Sequence, residues 1–207
     1  MNMTATWVAN GLSQDLPSGV VMAGAWHGAE LAIWRSASGR LAAWNDRCPH
    51  RGMRLSHGFV RGETLSCIYH GCVYGTDAAC HKIPAHPAMV PPAAIKAEAY
   101  ACVEAGGVIW VAPKDCAEAV PELAGLQPVR SITVTADMAA LARALPDFSA
   151  VGAVWRGKVD GSAVTVVVQP RVQGMALHTL CADAGARVAV SRWLEALRRV
   201  LEVEGVA

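Results

Sequence analysis

The chain has 207 residues and a formal net charge of +1. This length fits one domain or two small ones, and this charge gives no electrostatic basis for binding nucleic acid or an anionic membrane. No apolar run reaches the roughly 18 to 20 residues of a membrane span, and the first residues lack the pattern of a signal peptide. We therefore expect a cytoplasmic protein whose function depends on a local site.

The first part of the chain, residues 7–111, is predicted to form short strands. The stretch "LAIWRSASGRLAAWND" contains two apolar runs about a Ser-Gly turn, and "ETLSCIYHG", "CVYGTDAAC" and "GGVIWVAP" continue the pattern. Short strands separated by frequent turn residues favour an antiparallel β-sandwich. We place this domain at residues 1–115.

A proline- and alanine-containing stretch, residues 116–129, is predicted to connect two domains. In the second domain, residues 130–207, "RSITVTAD" and "GMALHTLCAD" predict strands, and "DMAALARAL" predicts a short helix that ends before Pro146. The stretch "VWRGKVDGSAVTVVVQ" predicts a hairpin that turns at Asp160-Gly161.

The end of the chain predicts an amphipathic helix that stops at Gly205. Its apolar face comprises Val190, Trp193, Leu194, Leu197 and Leu201. The predicted fold class is therefore mainly β, with an α+β second part made of a small antiparallel sheet and a C-terminal helix.

The seven cysteines are an odd number in a chain of this size. In a cytoplasmic protein this favours reduced thiols and metal ligation over a disulfide framework. Two of the cysteines lie in mixed pairs with histidines, as Cys48-x-His50 and Cys67-x-x-His70, with sixteen residues between His50 and Cys67. Two cysteines and two histidines also suit a tetrahedral zinc site, although zinc fingers usually pair like with like.

The stretches "NDRCPHRGMRL" and "SCIYHGCVYGTD" closely resemble the two cluster loops of the Rieske [2Fe-2S] family, in the branch found in Rieske non-haem iron oxygenases. The resemblance implies that Cys48 and Cys67 bind the inner iron, and that His50 and His70 bind the outer iron. Such a cluster carries single electrons. The branch usually has tryptophan where this chain has Cys72, for which packing is favoured over a ligand role.

The same resemblance implies a ferredoxin or flavoprotein reductase as electron donor. A basic rim flanks the cluster motifs in sequence and could steer an acidic donor. It comprises Arg47, Arg51, Arg54, Arg61 and Lys82.

Oxygenases of this branch also hold a mononuclear iron, through a motif of the form Asp-x-x-His-x4-His. Residues 147–155 read "DFSAVGAVW", so Asp147 fits this pattern, but Ala150 and Trp155 occupy the two histidine positions. Asp147 matches the carboxylate that links neighbouring subunits in the family, or it is an ordinary turn or helix residue. The second domain thus resembles a shortened catalytic domain, and we expect no mononuclear iron.

Three functions follow as hypotheses. The first is an electron-transfer protein or subunit that passes electrons from a reductase to a partner iron oxygenase, itself a full-length homologue. The second is a terminal component of an aromatic-ring hydroxylating or demethylating oxygenase that acts in a mixed assembly with a full-length homologue. Because related oxygenases form trimers, the resemblance also implies a homo- or heterotrimer. The third is a redox-sensing or structural metal protein.

Overall fold

The computed structural model describes residues 6–204, and these residues are mainly β. Two α-helices occur among them, α1 at Met138–Ala144 and α2 at Arg187–Glu204. The strands are β1 (Val8–Leu12), β2 (Val21–Trp26), β3 (Ala29–Arg35), β4 (Leu41–Asn45), β5 (Phe59–Arg61), β6 (Thr64–Ser66), β7 (Val73–Gly75), β8 (Cys80–Lys82), β9 (Ala99–Ala105), β10 (Val108–Ala112), β11 (Gln127–Val134), β12 (Ser149–Val151), β13 (Val154–Val159), β14 (Ser162–Pro170) and β15 (Met175–Cys181). Short 3-10 turns lie at Ser13–Asp15, Leu55–His57 and Ala184–Ala186.

The chain divides into two compact units. Among the described residues, the first unit comprises 6–7, 15–104 and 111–118, and the second comprises 8–14, 105–110 and 119–204.

Two antiparallel sheets form most of the first unit. In one, β9, β4, β3 and β2 are neighbours in that order, and in the other the order is β5-β6-β7-β8. Trp34 and Trp44 of the first sheet share one buried cluster with Leu65 and Tyr74 of the second. The predicted antiparallel β-sandwich is therefore confirmed.

The second unit contains a five-stranded antiparallel sheet in the order β11-β15-β14-β13-β12. Its core joins alternate residues of the central strands, such as Val166 and Leu177, to Leu141 of α1 and Leu194 of α2. The alternation places one face of each strand against the helices. The predicted antiparallel sheet with a C-terminal helix is confirmed.

Local signals placed several elements correctly. The β13–β14 hairpin turns at Asp160 and Gly161, both of which have positive φ, as an Asp-Gly turn of this type requires. Asp137 caps α1 by accepting a hydrogen bond from the backbone N–H of Ala140 at 2.8 Å. The helix ends at Ala144, before Pro146 as predicted.

The C-terminal helix also follows its prediction. Val190, Leu194, Leu197 and Leu201 are buried. Trp193 is partly buried, and its ring stacks on Phe148 with centroids 5.7 Å apart. The predicted stop at Gly205 lies outside the described residues. No helix within residues 6–204 is long and apolar enough to cross a membrane.

Candidate metal centre

The first candidate loop leaves β4 and is closed by its own backbone. The N–H of Cys48 donates to the carbonyl of Met53 at 2.8 Å, and the N–H of Gly52 donates to the carbonyl of Cys48 at 2.8 Å. Gly52 has φ +75°, a conformation that glycine adopts without steric cost. The loop is therefore a tight turn that fixes Cys48.

The carboxylate of Asp46 ties the two ends of this loop together. Asp46 is buried, and it accepts hydrogen bonds from the backbone N–H and the hydroxyl of Ser56, both at 2.6 Å. The guanidinium of Arg54 lies 3.9 Å from the same carboxylate and is also paired with Glu30. These contacts hold residues 46–56 as one unit.

The second candidate loop, between β6 and β7, repeats the hydrogen bonds of the first. The N–H of Cys67 donates to the carbonyl of Cys72 at 2.9 Å, and the N–H of Gly71 donates to the carbonyl of Cys67 at 3.0 Å. Gly71 also has positive φ, at +70°. The cysteine and the glycine are four residues apart in both loops, so this shared spacing is a sequence signal for the shared turn.

The structure places the four predicted ligand residues as two pairs, one of cysteines and one of histidines. Cys48 and Cys67 are buried, at 3% and 1% exposure. His50 is half-buried and His70 is exposed, and their ring centroids are 4.7 Å apart. The division into a buried sulfur pair and an outer imidazole pair is the one that a [2Fe-2S] cluster with mixed ligation requires.

One feature of these donors fits a cluster. The Nδ1 atom of His50 is buried and has no hydrogen-bond partner, which leaves it available as a metal ligand. Burial raises the pKa of the Cys67 thiol. The backbone N–H groups of Tyr69 and His70 lower it, and the adjacent Cys48 raises it further.

Within residues 6–204, no three Cys, His, Asp or Glu side chains are placed to contact one metal ion.

A group that the sequence did not reveal lies behind the sulfurs. The hydroxyl of Tyr74 is 3.1 Å from the Sγ of Cys48. Burial raises the pKa of Tyr74, and the contact with Cys48 raises it further, so the phenol stays protonated. It would donate to the Cys48 sulfur when that sulfur ligates iron as a thiolate. Trp44 packs edge-on against this ring.

Cys72 lies in the same buried region. Burial, and to a smaller extent the nearby Cys48 thiol, raises the pKa of Cys72 to about 11. Its thiol therefore stays protonated near neutral pH, which fits the predicted packing role.

The predicted basic rim is only partly available to a partner. Arg47, Arg51 and Lys82 are exposed. Arg54 is paired with Glu30, and Arg61 lies over the ring of Phe59 at 5.0 Å.

The stretch "DFSAVGAVW" forms a hairpin in the second unit. Ala150 of β12 lies directly opposite Trp155 of β13. Asp147 is exposed, whereas Trp155 is buried in the core of the unit. His178 lies on β15, where its Nδ1 hydrogen-bonds to the hydroxyl of Ser131 at 2.9 Å.

Comparison with known proteins gives a direct match over the first part of the chain. The family model described as "Rieske [2Fe-2S] domain" matches residues 6–101. The chain is 42% identical to oxidoreductase NdmD of Pseudomonas putida over 106 residues. The aligned stretch covers 50% of this chain and 18% of that protein. It is 29% identical to the 4beta-methylsterol monooxygenase of Methylococcus capsulatus over 188 residues. This alignment covers 77% of this chain and 50% of the relative.

A vanillate O-demethylase oxygenase subunit of Pseudomonas is 40% identical over 93 residues, 45% of this chain and 27% of the relative. The chain thus spans half or less of the length of these curated relatives.

Solved structures share the fold at low sequence identity. Apo dicamba monooxygenase aligns with a TM-score of 0.74 at 18% identity, over 98% of this chain and 86% of the other. Pseudomonas putida CBB5 NdmA aligns with a TM-score of 0.70 at 20% identity, over 97% and 81%.

Proposed function

Because the chain carries a Rieske [2Fe-2S] domain over residues 6–101, we propose that it is an electron-transfer protein or subunit that passes single electrons from a reductase to a partner iron oxygenase. The observation that supports this most strongly is a contrast between the two units. The first unit pairs Cys48 with Cys67 and His50 with His70. The second has Ala150 opposite a buried Trp155 where oxygenases of the family keep two histidines.

In this proposal Cys48 and Cys67 bind the inner iron, and His50 and His70 bind the outer iron. The cluster supplies storage for one electron at a time and has no open coordination position for dioxygen. Burial of the sulfurs excludes water from the inner side. His70 is exposed, so a partner protein can approach that side of the cluster directly.

The electron donor is proposed to be an acidic ferredoxin or a flavoprotein reductase. Arg47, Arg51 and Lys82 supply exposed positive charge close in sequence to the cluster ligands. Attraction between such a rim and an acidic partner raises the rate of association and weakens with salt.

We propose further that the chain has no mononuclear iron site. Alanine has no ligating atom, and the indole of Trp155 lies in the apolar core of the second unit. Asp147 alone of the three motif positions keeps a possible ligand, and one carboxylate does not make the two-histidine, one-carboxylate triad.

The test is to assay electron transfer and substrate turnover in the same preparation. Anaerobic reduction should place one electron per chain in the cluster, and a Cys67→Ser variant should lose this capacity. When the chain is then supplied with a reductase, dioxygen and the compounds named for its relatives, such as vanillate, no product should form. Hydroxylation or demethylation by this chain without an oxygenase partner would contradict the proposal.

A mixed assembly is the second candidate, because the fold likeness to a monooxygenase extends over nearly the whole chain and Asp147 is exposed. In that case the chain donates electrons from its cluster to a neighbouring iron-containing homologue in a heterotrimer, and Asp147 contributes at the contact. Co-purification with an iron-containing homologue, lost in an Asp147→Ala variant, would favour this candidate over a free electron carrier.

A further inference from the structure

Two buried cysteines of the first unit are outside the proposed ligand set. Cys72 directly precedes β7, and Cys80 is the first residue of β8. Both belong to the same buried cluster as Cys48 and Cys67. Neither forms a disulfide in the structure.

The pairing of β7 with β8 places these two thiols on the same face of the sheet, as diagonal neighbours. Tyr74 lies opposite Cys80, and Cys72 is two residues before Tyr74, so Cys72 and Cys80 point to the same face of the sheet. The two thiols are close enough that each alters the pKa of the other. The Cys80 thiol also contacts the carbonyl of Lys82 at 3.5 Å.

We propose that Cys72 and Cys80 form a dithiol that a hydroperoxide oxidises reversibly to a disulfide, as a modification site separate from the cluster. One sulfur attacks the peroxide, the O–O bond breaks, and a sulfenic acid and one water are formed. The second thiol then displaces the hydroxyl group as water, and the S–S bond forms. The two sulfurs lose two electrons, which reduce the two peroxide oxygens.

Bond formation has a structural consequence for the second cluster loop. Diagonal neighbours in an antiparallel pair are somewhat further apart than a disulfide allows, so the two strands must move together. The register shift between Val73 and Tyr74 lies where this movement is needed. Because the N–H of Cys67 donates to the carbonyl of Cys72, the movement reaches a proposed iron ligand through one hydrogen bond.

Burial makes this reaction slower than that of an exposed thiol. Cys102 and Cys116 are more exposed than the pair and belong to the same unit, so they provide internal controls. A sulfenic acid at Cys72 or Cys80 has a thiol beside it with which to condense, which drives the reaction to the disulfide.

The test treats the cluster-containing protein with hydrogen peroxide, denatures it with an alkylating agent, and maps the peptides by mass spectrometry. We expect a Cys72–Cys80 cross-linked peptide that has lost two hydrogen atoms and that dithiothreitol reverses. A Cys102→Ser/Cys116→Ser variant should form the same cross-link, and both Cys80→Ser and Cys72→Ser should abolish it. The absorption spectrum of the cluster is recorded in parallel and should change as the cross-link forms.

The mapping of the unmodified chain is decisive even if a variant fails to fold. The proposal is overturned if Cys72 and Cys80 stay alkylatable while Cys102 or Cys116 is oxidised. It is equally overturned if the cross-link joins either residue to Cys48 or Cys67. Neither result bears on the electron-carrier proposal, which depends on the ligands and on reduction of the cluster.

Discussion

At the scale of single residues, we expect the hydroxyl of Tyr74 to influence the reduction potential of the proposed cluster. Its hydroxyl is 3.1 Å from the Sγ of Cys48. A hydrogen bond to a ligand thiolate stabilises the reduced, more negative state of the cluster, and therefore raises the reduction potential.

We predict that Tyr74→Phe lowers this potential. A hydrogen bond to a charged group contributes roughly 1.5–3 kcal/mol, and only the part that differs between the two oxidation states counts. For one electron, 59 mV corresponds to a tenfold change in the equilibrium constant, so we expect a decrease on the order of 50 mV. Redox titration followed by absorption measures it.

Tyr100→Phe is the matched control, because Tyr100 lies on β9, in the other sheet of the unit, and its ring packs against Trp26 with centroids 6.1 Å apart. Its potential should equal that of the unmodified chain. An unchanged potential in Tyr74→Phe would show that the hydroxyl does not donate to the cluster ligand.

The sequence indicated the four ligands but not Tyr74 or Cys80. Cys48, His50, Cys67 and His70 are readable because each pair is local and its spacing is set by a tight loop. The contact of Tyr74 with Cys48 joins residues 26 apart in sequence and depends on the register of β6 with β7. Such a register follows from packing, and no local pattern specifies it.

At the scale of elements, the first cluster loop depends on the buried carboxylate of Asp46. Its two oxygens accept the N–H and the O–H of Ser56, ten residues further along the chain.

We predict that Asp46→Ala releases the loop and shortens the lifetime of the cluster. The unsatisfied N–H of Ser56 costs about 1–3 kcal/mol, since it lies in a partly buried position. The measurement is the rate of iron loss to a chelator, which should rise about tenfold or more. Asp183→Ala, which removes a similar bond to the backbone of Gly185 in the second unit, should leave the rate unchanged.

Most elements of the second unit could be predicted from the sequence, and the exception is the hairpin of β12 with β13. An Asp-Gly turn, a capping aspartate and a helical apolar stripe each act locally, so β13, β14, α1 and α2 were placed correctly. The hairpin of β12 with β13 was not predicted, because "DFSAVGAVW" was compared with a metal-binding motif. Ser149–Val151 is an exposed edge strand of three residues, which is too short to show a period.

At the scale of the whole molecule, a buried histidine should make stability depend on pH. His178 is almost fully buried, and burial lowers its pKa from 6.5 to about 4. The folded state therefore binds this proton less well than the unfolded state. The stabilisation is complete above pH 6.5 and is lost as the pH falls from 6.5 to 4.

We predict a loss of about 3 kcal/mol in the free energy of unfolding over this range from His178 alone, at about 1.4 kcal/mol per pH unit. Urea denaturation at several pH values measures it. His178→Gln removes the titrating group, so its unfolding free energy should fall less steeply between pH 6.5 and 4. Equal slopes in the two proteins would contradict the assignment.

The electron-carrier proposal rests on a difference between the two units. The first unit contains the four proposed donors for a [2Fe-2S] cluster. The fold likeness to a solved monooxygenase extends into the second unit, where Ala150 and Trp155 lie opposite one another. The proposed division of labour with a partner rests on this combination.

The most direct test of the central claim is the iron, sulfide and zinc content of the purified chain, with an EPR spectrum of the reduced state. The proposal predicts two irons and two inorganic sulfides per chain, with the spectrum of mixed histidine and cysteine ligation. Exchange of His70 for Cys should alter that spectrum, which ties it to the proposed ligand. A third, tightly bound iron would contradict the electron-carrier proposal, and zinc without sulfide would contradict the cluster itself.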